Sequence, residues 1–316
     1  MITAAPAAEG TRRADVPALV ADGVTVVLWS SAFVGIRSAG RSFSPGALSL
    51  GRLLVALVAL GVLGYSRGER LPQRAALRPA WPALLVCGLL WFGAYNLALN
   101  AGERRVDAGT AAMLVNIGPV LVAVLAGVVL REGFPQALFA GCAVAFAGVV
   151  VIAIASAEHT ATTGGVVLCL AAALSYAAGV VAQKVALRTL SGTQTIFLCC
   201  AIGVVVCLPF VRQLVRELGD APTGAIGWVA YLGIAPTALG FSTWAFALRR
   251  TDAGRLAATT YLVPPLSILL GRLWLGESPA ALAYLGGALC LAGVAITRSS
   301  AAGRLRLAFA RSGSRS

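Results

Sequence analysis

Residues 104–109 read Arg-Arg-Val-Asp-Ala-Gly, and residues 249–254 read Arg-Arg-Thr-Asp-Ala-Gly. The offset of 145 between them holds onward without a gap, pairing Pro119 with Pro264, Leu125 with Leu270, Leu130 with Leu275 and Glu132 with Glu277. It continues through Gly141 and Gly286, Ala147 and Ala292, Gly148 and Gly293, and Val149 and Val294. Chance likeness between apolar stretches matches Leu with Val, but it does not bring Asp, Pro, Glu and Gly into register. The chain is therefore a duplicated unit. Upstream the offset drifts to 147, where Trp29 meets Tyr176 and Arg37 meets Lys184.

Composition says what surrounds the repeated unit. Hydrophobic residues make up 59% of the 316 positions and charged residues 12%. A soluble domain carries about 45–50% apolar and about 25% charged residues, so lipid must be the solvent for much of this chain. Crossing the hydrocarbon takes roughly 20 apolar residues. The apolar runs place helices near 17–36, 46–66, 80–100, 108–130 and 134–155, then near 164–184, 193–211, 224–247, 254–275 and 279–297. The expected fold is an all-α integral membrane protein of ten transmembrane helices. Its parts are a first five-helix repeat with a short N-terminal tail (1–155), a second repeat (156–297) and a basic tail (298–316). Arg12 and Arg13 precede the first run in the manner of a signal peptide. That run holds Asp22 and Trp29 and nine more follow it, so it reads as a retained helix.

The net charge of +13 is spread over short loops and the tail, which argues against nucleic-acid binding. With the N-terminus inside, 17 of the 25 Lys and Arg residues fall on the inner side and 7 on the outer, with Arg52 inside the second helix. The excess places both termini in the cytoplasm of a multi-pass protein of the plasma or inner membrane. Five helices per copy is an odd number, so the second copy enters the membrane upside down. Inverted repeats suit a transporter whose halves exchange conformations.

The stretch Trp29-Ser30-Ser31-Ala32-Phe33 resembles the first-helix motif of the EamA-like family of the drug/metabolite transporter superfamily. Pro119 and Pro264, each followed thirteen residues later by a glutamate, extend the resemblance, as do the glycines at 141, 148, 286 and 293. It covers roughly residues 20–297. It departs from the family in Ser30, where glycine is common, and in Pro265, which extends a usually single proline. The resemblance implies a ten-helix exporter of small metabolites such as amino acids.

The candidate residues follow from the cost of polar groups in hydrocarbon. An unsatisfied amide there costs several kcal/mol, so such groups should face protein or a watery cavity. Trp29, Tyr95, Asn96, Asn100, Asn116, Tyr176, Trp244 and Tyr261 form the expected substrate-binding set. Pro119, Pro264 and Pro265 lack an amide hydrogen and displace carbonyls four residues earlier. They should kink the fourth and ninth helices and open acceptors, beside Asn116 and Tyr261, to a central cavity walled by Trp29 and Tyr176. Asp22, about 9 Å into the first helix at 1.5 Å per residue, is the candidate coupling carboxylate, shallow enough to reach the interface. Arg52 is expected to snorkel outward, with binding of an anionic group as the alternative. Glu132 and Glu277 should cap or salt-bridge the turn into the next helix. The glycines at 141, 148, 286 and 293 should allow close helix packing. The seven cysteines all fall in apolar runs and read as packing residues.

A lone histidine, His159, and the lack of an acidic cluster at membrane depth argue against an intramembrane enzyme. No phosphate-binding loop is present, and neither a cofactor nor a metal is expected. The reading is a secondary transporter exporting a small molecule by alternating access. A broad drug-efflux pump on the same fold is the alternative, and assembly as a homo-oligomer stays open.

Overall fold

A computed structural model describes residues 15–102, 105, 114–156, 162–275 and 281–312. The loop copy at 104–109 and Glu277, apart from Arg105, lie outside the described residues, as do Arg12, Arg13 and His159. Nine helices among the described residues are long and apolar enough to cross a membrane, and Gly118–Leu130 is a shorter apolar one. In chain order the helices are α1 (Val16–Ala39), α2 (Pro45–Ser66), α3 (Arg74–Gly102), α4 (Gly118–Leu130) and α5 (Gln136–Ser156). They continue as α6 (Thr163–Ala186), α7 (Gly192–Asp220), α8 (Thr223–Leu248), α9 (Ala253–Leu275) and α10 (Ala281–Ser312).

Burial runs opposite to that of a soluble protein. Val20, Val27, Val58, Val62, Ile154, Val205 and Leu273 are exposed, while Asp22, Thr25, Ser30, Gln183, Thr237 and Thr259 are buried. An outer surface so rich in apolar side chains fits lipid and not water. The seven cysteines are buried thiols, as their apolar settings suggest.

Five helices are not continuous α-helix, α7 through a 3-10 turn at Leu208–Phe210. Inside α3, Cys87–Ala94 is a π segment following Pro79 and Pro82, and inside α8 Gly233–Leu239 is another, containing Pro236. The wider winding lets a nearby side chain bond to a carbonyl five residues back. Asn96 Nδ2 donates to Trp91 O at 3.3 Å, and Thr237 Oγ1 donates to Leu232 O at 2.7 Å. α4 begins at Gly118 after a turn at Asn116 and Ile117, and ends in a π segment, Ala126–Leu130. In α9 the 3-10 turn Thr260–Leu262 separates Ala253–Thr259 from Val263–Leu275, just before Pro264.

The packing relations pair off between the halves. α1 lies against α8 and α9, and α6 lies correspondingly against α3 and α4. α2 meets α7, α4 meets α9, and α5 meets α10. The last pair is the closest. A Cβ on Gly141 would stand 2.6 Å from Gly293 O, and one on Gly148 would stand 2.5 Å from Gly286 O. Since 141 faces 293 and 148 faces 286, the two helices run antiparallel. Cys290 Sγ lies 3.4 Å from Ala145 O, its own counterpart at the offset of 145.

α10 runs on to Ser312, through much of the expected basic tail, along Ala, Leu and Arg, which are strong helix formers. One sequence expectation needs correction here. Glu132 does cap and salt-bridge, but not the turn into its own next helix. It accepts from Ala253 N at 2.9 Å and Gly254 N at 3.3 Å, the first amides of α9, and pairs with Lys184 Nζ at 2.8 Å. The first turn of α9 supplies unpaired donors and partial positive charge, which a carboxylate satisfies.

Candidate functional site: an aromatic cage between the halves

Six aromatic side chains meet where α1, α3, α6 and α8 cross. Trp29 lies 5.0 Å from Trp244 and 5.3 Å from Phe241, centroid to centroid. Trp91 lies 4.9 Å from Phe241 and 5.3 Å from Tyr176, and Phe92 lies 4.7 Å from Phe241. Tyr95 borders the group, 6.2 Å from Tyr176. Most pairs are edge-to-face or tilted, the arrangement the ring quadrupoles favour. The rings fill their own centre, so the cage is occluded in this conformation.

Three of the rings are oriented by a polar contact or a close backbone. Trp29 Nε1 donates to Pro236 O at 3.2 Å, one of the carbonyls in the π segment of α8. Trp244 Nε1 donates to Gln183 Oε1 at 3.0 Å, with both side chains fully buried. The Gln183 amide nitrogen has no acceptor among the described residues, which leaves donors aimed into the protein interior. Glycine 118 lets α4 approach, since a Cβ there would stand 2.7 Å from the Tyr176 ring. Around the cage, hydroxyls tie α1 to α8, with Thr25 Oγ1 2.8 Å from Thr243 Oγ1 and Ser31 Oγ 2.6 Å from Tyr231 OH.

The structure distributes the residues expected at the site as follows. Trp29, Tyr95, Tyr176 and Trp244 come together. Asn96 lies beside Trp91 and Phe92 but turns back on its own helix, donating to Phe92 O at 3.0 Å. Asn100 leaves the cage for α2, where Nδ2 meets Ser49 Oγ at 3.1 Å. Asn116 sits in the turn before Gly118 and Pro119. Tyr261 is fully buried with Ala123, Leu138, Cys142 and Cys290, in the cluster joining α4, α5, α9 and α10. Its hydroxyl has no hydrogen-bond partner among the described residues. Pro264 and Pro265 are half-buried in α9, and Pro119 is buried.

Trp91, Phe92 and Phe241 were missed, because an aromatic in an apolar run reads as lipid-facing or core. The prolines beside them in α3 and α8 were the available signal. Two grooves of about 400 and 220 Å³ lie away from the cage, between α4 and α5 and between α9 and α10. Val120, Phe139, Ala143 and Phe146 line one, and their counterparts at the offset of 145, Pro265, Tyr284, Ala288 and Leu291, line the other.

Two charged residues are turned inward against protein. Asp22 is only 3% exposed. α9 and α10 cover it, with Thr259 Oγ1 donating to Oδ1 and Arg298 Nη2 pairing with Oδ2, both at 2.7 Å. Arg52 does not snorkel. Its Nε and Nη2 turn across to Thr237 Oγ1 on α8, at 3.2 and 3.0 Å.

The EamA-like transporter family profile matches residues 23–154 and 163–299, one stretch for each half. The chain belongs to the EamA-like transporter family. A protein of Streptantibioticus cattleyicolor named as a probable terminal-alkyne amino-acid exporter is 39% identical over 90% of this chain and 94% of its own length. A Salmonella typhimurium protein named as a probable amino-acid metabolite efflux pump is 27% identical over 86% of this chain and 92% of its own. A crystal structure at 21% identity superposes with a TM-score of 0.75, covering 91% of this chain and 98% of that one. The two chains thus share a fold. As an EamA-like protein the chain is a multi-pass membrane transporter of small molecules, and not an enzyme.

Proposed function

We propose that this protein exports small amphipathic metabolites, amino acids or close relatives, from the cytoplasm by alternating access of two inverted five-helix repeats. The observation that carries the reading is the aromatic cage, built from repeat-related helices at the junction of the halves. Trp29 and Tyr176 hold corresponding places in the two copies, and each packs on the broken helix of the opposite half. Rings on several sides suit an apolar side chain, and their faces also attract an ammonium group. The names of the two relatives, each an amino-acid exporter or efflux pump, favour the same class of cargo. Inversion is supported by the antiparallel register of Gly141 with Gly293 and Gly148 with Gly286. Asp22 is the carboxylate we assign to coupling.

The decisive experiment profiles metabolites released by cells with and without the protein, followed by counterflow in proteoliposomes. Enrichment of amino-acid-like compounds, reduced several-fold by Trp29→Ala or Trp244→Ala, is the expected result. Resistance to chemically unrelated cations, without metabolite release, would instead favour the drug-efflux alternative. Reporter fusions should place the 67–73 and 249–252 turns and the C-terminus inside and the 103–107 loop outside. Loops of both repeats reporting from one side would refute inversion.

A further inference from the structure

Arg52 sits seven residues into α2, about 10 Å along the helix at 1.5 Å per residue. A guanidinium at membrane depth ordinarily faces an acidic partner or a water-filled cavity. Among the described residues no carboxylate lies within ion-pair distance of it. Its titratable neighbours are the Tyr95 phenol and the Cys200 thiol, both uncharged near neutral pH.

The group is nevertheless held in place. Thr237 Oγ1 accepts from Nε and Nη2 while donating its own proton to Leu232 O at 2.7 Å. The π winding of α8 presents that threonine, so the anchor is set by the same irregularity that offers Pro236 O to Trp29. A guanidinium has five N–H donors in a planar fork. The Thr237 bonds use one edge, and the remaining donors keep the bidentate geometry that matches a carboxylate. Arg52 is half-buried, neither sealed nor out in the lipid. It borders the cage on two sides, through Tyr95, whose ring faces Tyr176, and through the Pro236–Thr237 carbonyl and hydroxyl.

We infer that Arg52 is the anion anchor of the transport site, binding the carboxylate of an amino acid or other small carboxylic acid whose side chain enters the aromatic cage. The inference rests on the exporter reading and sharpens it, because it makes the cargo a carboxylate. An uncharged or cationic compound of equal size would leave the guanidinium without its anion and be rejected.

The test uses proteoliposome counterflow with matched probes, L-propargylglycine and L-norvaline against their primary carboxamides. The wild-type protein should exchange each acid about tenfold or more faster than its amide, the scale of hydrogen bonds to a charged group. Arg52→Gln should bring each pair close to parity, chiefly by losing the acid. Arg52→Lys should keep a partial preference, because it retains charge without the fork. If Arg52→Gln fails to reach the membrane, Thr237→Val supplies the same information. It leaves the charge and frees the guanidinium, and should reduce the acid-to-amide ratio several-fold. An unchanged ratio in whichever of these variants is obtained overturns the anchor. Equal exchange of acid and amide by the wild-type protein also overturns it, while leaving the exporter reading intact. Exchange of neither member of any pair overturns both.

Discussion

Asp22 shows what one buried charge requires at the residue scale. Its carboxylate is sealed by contacts from residues 237 and 276 positions away, Thr259 and Arg298. The Thr259 hydroxyl also lies 2.7 Å from Leu256 O, so a single proton serves two acceptors. Removing one member of a buried pair costs about 3–5 kcal/mol, since the survivor is left uncompensated. Here Arg298 is 43% exposed, and water takes over much of its solvation. Asp22→Asn should therefore lower stability by only about 1–2 kcal/mol, measurable as a drop of a few degrees in thermal unfolding in detergent. Transport driven by a pH gradient should nevertheless be abolished, because an amide cannot carry the proton. Full gradient-driven flux in this variant would remove Asp22 from the coupling step. The sequence marked Asp22 as the acid set well within a helix, but not its burial. Distance along a helix axis measures depth, whereas burial depends on which neighbours cross over it. Arg52 illustrates the same gap. Its charge was legible, but its turn toward Thr237 depends on a π segment that no hydrophobic period announces.

At the scale of elements, the α5–α10 contact offers the cleanest test of packing. Gly→Ala in an open helix interior is usually stabilising by up to about 1 kcal/mol. At Gly148 the added methyl would stand 2.5 Å from Gly286 O and 2.7 Å from Cys290 N, both backbone atoms that cannot rotate away. At Gly293 it would stand 2.4 Å from Ala145 N. Both Gly148→Ala and Gly293→Ala should destabilise by about 1–3 kcal/mol, the cost of overpacking a close contact. Gly227→Ala in α8, with nothing within 4 Å of the new methyl, should be neutral or stabilising. Melting temperatures in detergent that rose for all three would show a propensity effect and not the close approach. These glycines were readable in advance, because a seven-residue spacing puts both on one face and the repeat supplies the partner. The helix breaks in α3 and α8 were not. Their prolines were visible, yet the outcome could have been a kink, a 3-10 turn or a π segment. The local choice depends on Asn96 and Thr237 finding carbonyls five residues back. For the same reason the cage was half legible: its polar-edged rings stood out, while Trp91, Phe92 and Phe241 looked like ordinary apolar filling.

For the whole molecule, a set of polar contacts ties the two halves together on one face. Glu132 of the first half holds both Lys184 and the opening amides of α9, and Lys184 also donates to Thr251 O. Asp22 engages Thr259 and Arg298, Asp15 pairs with Arg250, and Glu69 accepts from Ser191. All but the Lys184–Thr251 contact join the first half to the second, on the face that carries the 249–252 turn. Under the alternating access proposed above, this set would have to open as a unit, since the cross-half contacts depend on the same relative placement of the halves. Glu132 and Lys184 are only 12% and 21% exposed, so their attraction is less screened than that of a surface pair. Neutralising both by Glu132→Gln with Lys184→Met should bias the protein toward the state open on that face by about 1–3 kcal/mol, or roughly 5- to 150-fold in population. Ser30 is a suitable reporter. It is fully buried on α1 and lies against α9, where Ser267 Oγ donates to its carbonyl at 3.2 Å. A cysteine placed there, in a background with the seven native cysteines replaced, should react slowly with an impermeant thiol reagent in inside-out vesicles. The double variant should react several-fold faster from that face and no faster from the other. Equal rates in the two backgrounds would mean that packing of α1 on α9, and not the ionic set, keeps this face shut.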